Sequence, residues 1–130
     1  MKYGINLLLW TDSMHDGLIP TVEAIRKMGY DGVEMPLFDP NIGLYTEWGK
    51  KLDDIGLERT AVTIRGVEDN PISPSASVRS AAVDAMKKTI DCCHASGVKL
   101  LAGPTHSALG EFSGCGPTDD EIKWGAETMR

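Results

Sequence analysis

The sequence predicts an α/β fold built on a parallel sheet, and three observations predict it. Short β-rich apolar runs alternate with amphipathic stretches along the whole chain. A glycine (Gly29, Gly56, Gly97) closes each of the first three amphipathic stretches just before the next apolar run, where a helix C-cap glycine belongs. Three of the segments that follow the apolar runs are long and unusual: Met35 to Asn41, Gly66 to Ser77 and Gly103 to Pro117. Helical crossovers between successive strands imply parallel pairing with right-handed connections.

The elements follow in order. Tyr3 to Trp10 is nearly continuous in apolar residues, as expected of a strand covered on both faces. The first helix is expected over Pro20 to Met28, with the proline in its first turn and Val22, Ile25 and Met28 on one face. Gly32 to Met35 reads as the second strand. The second helix carries Leu44, Trp48, Leu52 and Ile55, spaced as one helical face. Arg59 to Ile64 is rich in β-branched residues and reads as the third strand. The third helix starts near Ser75 or Ser77 and sets Val78, Ala82, Met86, Ile90 and Cys93 on one stripe; Val98 to Ala102 is the fourth strand. Thr118 and Glu121 have the spacing of a capping box, so a fourth helix opens there, carries Ile122, Ala126 and Met129, and runs to the end.

Two architectures satisfy this βαβαβαβα order: an open doubly wound sheet, or part of a (β/α)₈ barrel. A nucleotide-binding open sheet would carry a glycine-rich turn after the first strand. Thr11 to Gly17 contains a single glycine there. Long loops at the strand carboxyl ends suit a barrel, whose function lives on that side, although a flavodoxin-like sheet also places its site there.

Composition excludes several classes. With 42% hydrophobic and 25% charged residues in 130, the chain has the content of one ordered domain with one core. The net charge of −6 argues against a nucleic-acid surface, which needs clustered Lys and Arg. No apolar run approaches the roughly 20 residues of a membrane span, and the first ten residues lack the cleavage site of a signal peptide. Cys92, Cys93 and Cys115 are odd in number and two are adjacent, a poor disulfide framework that suggests a reducing, cytoplasmic setting.

Several phrases carry a family resemblance. Gly29-Tyr30-Asp31-Gly32-Val33-Glu34-Met35 resembles the second-strand phrase of the xylose isomerase-like TIM barrel superfamily. Lys2 to Asn6 with Trp10, and Ser73 to Arg79, look like the matching segments of D-tagatose and D-psicose 3-epimerase relatives. Ala102 to Gly114, continuing through Gly116-Pro117-Thr118 to Glu121, is similar to the fourth-strand loop of a sugar phosphate isomerase/epimerase subgroup. The resemblance covers essentially the whole chain. It implies four βα units of a (β/α)₈ TIM barrel, a half-barrel equivalent to the N-terminal half of such an enzyme over residues 1–130. A full barrel of this kind has about 250 residues. The half-barrel is expected either as a truncated chain or as a self-standing unit.

The implied reaction is proton abstraction beside a ketose carbonyl, assisted by a divalent metal (Mn, Mg or Co). The resemblance places the metal ligands and the acid/base glutamates on strands five to eight. This stretch is therefore expected to bind no metal and to contribute no catalytic residue. Its expected contribution is to the pocket of a small sugar or sugar phosphate. Asn6 stands where related epimerases often place an aromatic. Trp10 could cover the pocket or pack at its rim. Glu34 ends the second strand, as a structural acid or a substrate contact. Arg65 could meet a phosphate or carboxylate, or form a surface salt bridge. His106 lies in the fourth-strand loop, and Leu109 stands where some epimerases carry a tryptophan. His15 and His94 read as surface positions.

Cutting a sheet from a barrel is expected to expose two edge strands and part of an apolar inner face, so a homodimer or higher oligomer is expected. Two rivals differ in class. One is a catalytically inert, self-associating half-barrel. The other is an endonuclease IV-like metal-dependent nuclease, disfavoured by the acidic balance and by Thr63-Ile64-Arg65, not histidine, at the end of the third strand.

Overall fold

The computed structural model describes residues 1–130. Its elements are β1 (Gly4–Asn6), α1 (Ile19–Lys27), β2 (Gly32–Pro36), α2 (Ile42–Ile55), β3 (Glu58–Val62), α3 (Ala76–Ser96), β4 (Leu101–Ala102) and α4 (Asp119–Thr128). The chain divides into two compact units, one of residues 1–63 with 89–102, the other of residues 64–88 with 103–130. No helix is long and apolar enough to cross a membrane.

The first unit holds the sheet. Its order is β1-β2-β3-β4 and every pairing is parallel, as the alternation of elements predicts. Side chains alternate between faces along a strand. One face sends Val33, Met35 and Ala61 into a core shared with Val22, Ile25, Tyr45, Trp48, Leu52 and Cys92, all at most 2% exposed. The other face carries Gly4 and Asn6, Gly32 and Glu34, Glu58 and Thr60 in register. Pro36, Val62 and Ala102 continue that face in register, so it is polar at Asn6, Glu34, Glu58 and Thr60 and apolar at the carboxyl ends of the strands. The Tyr45 hydroxyl donates to the Pro36 carbonyl and Thr63 Oγ1 to the Leu37 carbonyl, which fastens the turn after β2.

Four expectations are corrected. The first strand ends at Asn6, because Asn6 Oδ1 accepts from the Leu8 N–H at 2.7 Å and caps a 3₁₀ turn over Leu7–Leu9. Leu8, Leu9 and Trp10 consequently leave the sheet and are exposed. Met28 is the C-cap residue of α1 and is 75% exposed. Ile90 is 53% exposed, and Thr89 is buried in its place. At about 100° per residue, steps of four drift round the helix, so Ile90 lies about 120° from Val78 while Thr89 lies about 20° from it. The fourth strand keeps only Leu101–Ala102 of the expected five residues.

The second unit contains the two long loops, the first part of α3, and α4. Thr118 caps α4: its hydroxyl accepts from the Glu121 N–H, and Glu121 Oε2 accepts from the Thr118 N–H. These hydrogen bonds hold the Glu121 carboxyl below its ordinary range. The Arg79 guanidinium lies 4.5 Å from the Trp124 ring centroid and donates to the Ser73 and Pro74 carbonyls. α4 is thus tied to the loop that precedes α3.

Candidate functional site

In the first unit, three neighbouring strands place three polar side chains in one row. Register sets Asn6 opposite Glu34, and Glu34 opposite Thr60. Asn6 Nδ2 donates to Glu34 Oε1 at 2.6 Å, and Thr60 Oγ1 approaches Glu34 Oε2 at 3.4 Å. A half-buried carboxylate needs such donors, because desolvation without them is costly. Asn6 serves twice, since its Oδ1 caps the 3₁₀ turn while its Nδ2 reaches Glu34.

This row walls a cavity of about 400 Å³ whose lining also includes Gly4, Gly32 and Glu58. Gly32 has to be glycine: a Cβ there would lie 2.7 Å from the Glu58 carbonyl oxygen. Below the row, Lys2 and Glu58 form an exposed ion pair. The cavity extends from the row towards the amino ends of the strands, whereas the sequence points to the carboxyl ends. Gly4 and Gly32, which carry no side chain, line that space. Trp10 is not among its lining residues.

The second unit holds the other three sequence candidates. Arg65 is 5% exposed, and its Nη1 donates to Asp69 Oδ2 at 2.8 Å. Asp69 Oδ1 also accepts from the Gly66 N–H. The guanidinium is therefore buried in a local ion pair, neither a surface salt bridge nor an open fork for an anion. Arg65 and Ala108 form a parallel bridge, and the Leu109 N–H donates to the Arg65 carbonyl at 2.9 Å. Leu109 itself is 57% exposed. His106 is exposed at the edge of an apolar groove of about 320 Å³ with Ile72, Pro117, Ile122, Ala126 and Met129.

Sequence reasoning missed two residues. Thr60 is the third member of the row, and only strand register brings it to Glu34. Asn70 Oδ1 accepts from the Ile72 and Ala108 N–H groups and so joins the two long loops. An asparagine before a proline was the visible signal, since Asx side chains commonly bond backbone nearby. No cluster of three or more His, Cys, Asp or Glu side chains could hold a metal ion. The residues present thus do not fit the divalent metal that the resemblance implies.

The model of the xylose isomerase-like TIM barrel family matches residues 22–130. The chain belongs to that family. No curated protein matches it. Among solved structures, this xylose isomerase-like chain is similar to the D-allulose 3-epimerase of Methylomonas sp. in complex with D-allulose (TM-score 0.84, 22% identity) and to an L-ribulose 3-epimerase (0.85, 22%). It also resembles the D-psicose 3-epimerase of Clostridium cellulolyticum H10 with D-tagatose (0.81, 18%). Each alignment covers 99% of this chain and 44–46% of the other. The chain thus spans less than half the length of these structures, and its four-stranded sheet matches half of a TIM barrel.

Proposed function

We propose that residues 1–130 form the amino-terminal, substrate-facing half of a ketose isomerase or epimerase. The observation that carries this reading is the Asn6–Glu34–Thr60 row beside an open cavity, in a chain of a family whose similar structures are sugar 3-epimerases. A row of acceptors and donors of this kind suits the hydroxyls of a sugar. The carboxylate oxygens accept from substrate hydroxyls, while Asn6 and Thr60 keep the carboxylate oriented. Where related epimerases place an aromatic, Asn6 substitutes hydrogen bonding for packing.

The reaction is abstraction of a proton from the carbon beside the ketose carbonyl, giving an enediolate that is reprotonated. Acid–base groups for such a step contribute roughly 10²–10⁴-fold. Under this reading they lie outside the present residues, which bind and orient. The reading includes a cytoplasmic location, supported by three free thiols that a reducing compartment preserves.

The test is a titration of the isotope-labelled chain with D-allulose, D-fructose, D-tagatose and a ketose phosphate, followed by amide NMR shifts. Millimolar binding, about −4 kcal/mol, should shift the amides of Asn6, Glu34 and Thr60, and Glu34→Ala should abolish the shifts. Unchanged spectra with every sugar would refute the reading.

A further inference from the structure

The side chains of the Asn6–Glu34–Thr60 row can make more hydrogen bonds than they make with one another, and the surplus has a definite pattern. An ionised carboxylate offers two lone pairs on each oxygen, and a hydroxyl offers one donor and two lone pairs. Glu34 Oε1 accepts from Asn6 Nδ2 at 2.6 Å, while Oε2 receives only the long 3.4 Å approach of Thr60 Oγ1. Asn6 and Thr60 stand on the strands either side of β2. Each carboxylate oxygen therefore has one flanking donor and keeps a further lone pair. The two flanking contacts differ in kind. Asn6 is fixed, because its Oδ1 is committed to the Leu8 N–H and turning the amide over would set that oxygen against the carboxylate. Thr60 is held loosely: its contact is longer than an ordinary O–H···O bond, and its hydroxyl hydrogen rotates to suit a better acceptor.

We propose, resting on the sugar-binding reading above, that this row receives two hydroxyls on adjacent carbons of the ketose, with Thr60 as a specificity-determining residue. One hydroxyl donates to Glu34 Oε1. Its neighbour donates to Oε2 and accepts from Thr60 Oγ1, entering where the long contact leaves room. Hydroxyl oxygens on adjacent carbons can match the spacing of the two carboxylate oxygens, so both are held at once, as in other two-point carboxylate contacts. A phosphate ester at either of these carbons is excluded, since it has no O–H to donate at that oxygen and brings a second negative charge to Glu34. The cavity adds to that exclusion. Asp31 and Glu58 also line it, and its two cations are engaged, Lys2 by Glu58 and Arg59 by Asp53 and the Ser96 carbonyl.

The test is an NMR titration of the isotope-labelled chain with D-allulose and with its monodeoxy analogues, one for each hydroxyl-bearing carbon, read at the Glu34 and Thr60 amides. Loss of the hydroxyl at either of two adjacent carbons should weaken binding about tenfold, and loss elsewhere should leave it unchanged. Thr60→Val keeps the branched shape without the hydroxyl and should weaken D-allulose binding, whereas Thr60→Ser should retain it. The analogue lacking the hydroxyl that meets Thr60 should bind Thr60→Val as well as it binds the parent chain, because both changes remove the same bond. No shift with D-allulose would overturn the sugar-binding reading and the adjacent-hydroxyl proposal with it. Binding that ignores every single deoxygenation, that depends on two separated carbons, or that loses affinity additively with Thr60→Val would overturn the adjacent-hydroxyl proposal alone.

Discussion

The hydroxyl of Tyr45 donates to the backbone carbonyl of Pro36 at 2.5 Å, with both residues buried. This single bond joins α2 to the carboxyl end of β2 at its last residue, two positions after Glu34. Tyr45→Phe should leave that carbonyl without its donor and cost about 1–3 kcal/mol. Urea denaturation checks it, with a lower midpoint at unchanged slope.

Alkaline stability follows from the same region. Burial pushes the Tyr45 hydroxyl well above its ordinary value, and burial likewise raises the thiols of Cys92 and Cys93. All three groups are more readily ionised in the unfolded chain than in the folded one. Stability should therefore be full below the unfolded thiol range, about pH 8.5, and fall as pH rises through it and past about 10. A thiol reagent at neutral pH should label Cys115 quickly and leave Cys92 and Cys93 protected, because only Cys115 is exposed.

Two glycines in α2 should respond with opposite signs. A Cβ on Gly49 would lie 2.8 Å from the Ser96 carbonyl oxygen, where α2 and α3 approach closely. Gly49→Ala should cost about 1–3 kcal/mol through overpacking. At Gly43 the nearest atom, Asn41 Oδ1, is 3.5 Å away, so Gly43→Ala should gain about 0.5–1 kcal/mol from helix propensity. Thermal midpoints of the two variants separate the effects.

Asn6→Asp preserves the acceptor for the Leu8 N–H but sets a second carboxylate against Glu34 across the 2.6 Å contact. Like charges so close raise each other's proton affinity in the folded state. The variant should be less stable than the parent at pH 7 by about 1–3 kcal/mol. The gap should narrow as pH falls through the carboxylate range near 4. Paired denaturation curves at pH 7 and below 4 measure it; a pH-independent gap would refute the repulsion.

Local chemistry alone decided much of this protein. Gly29, Gly56 and Gly97 end their helices at positive φ (94°, 79° and 74°), because only glycine enters that region without strain. The Thr118–Glu121 box opens α4, and the face of Leu44, Trp48, Leu52 and Ile55 meets the core, since caps and periodicity act within a few residues. What needed the tertiary structure were relationships across strands and loops. The row joining Asn6, Glu34 and Thr60 depends on register, which no local segment specifies. Arg65 is occupied by Asp69 because the loop folds back on itself. The first strand breaks early because Asn6 finds Leu8 just as its amide finds Glu34, and a long-range partner outweighed the β propensity of an apolar run.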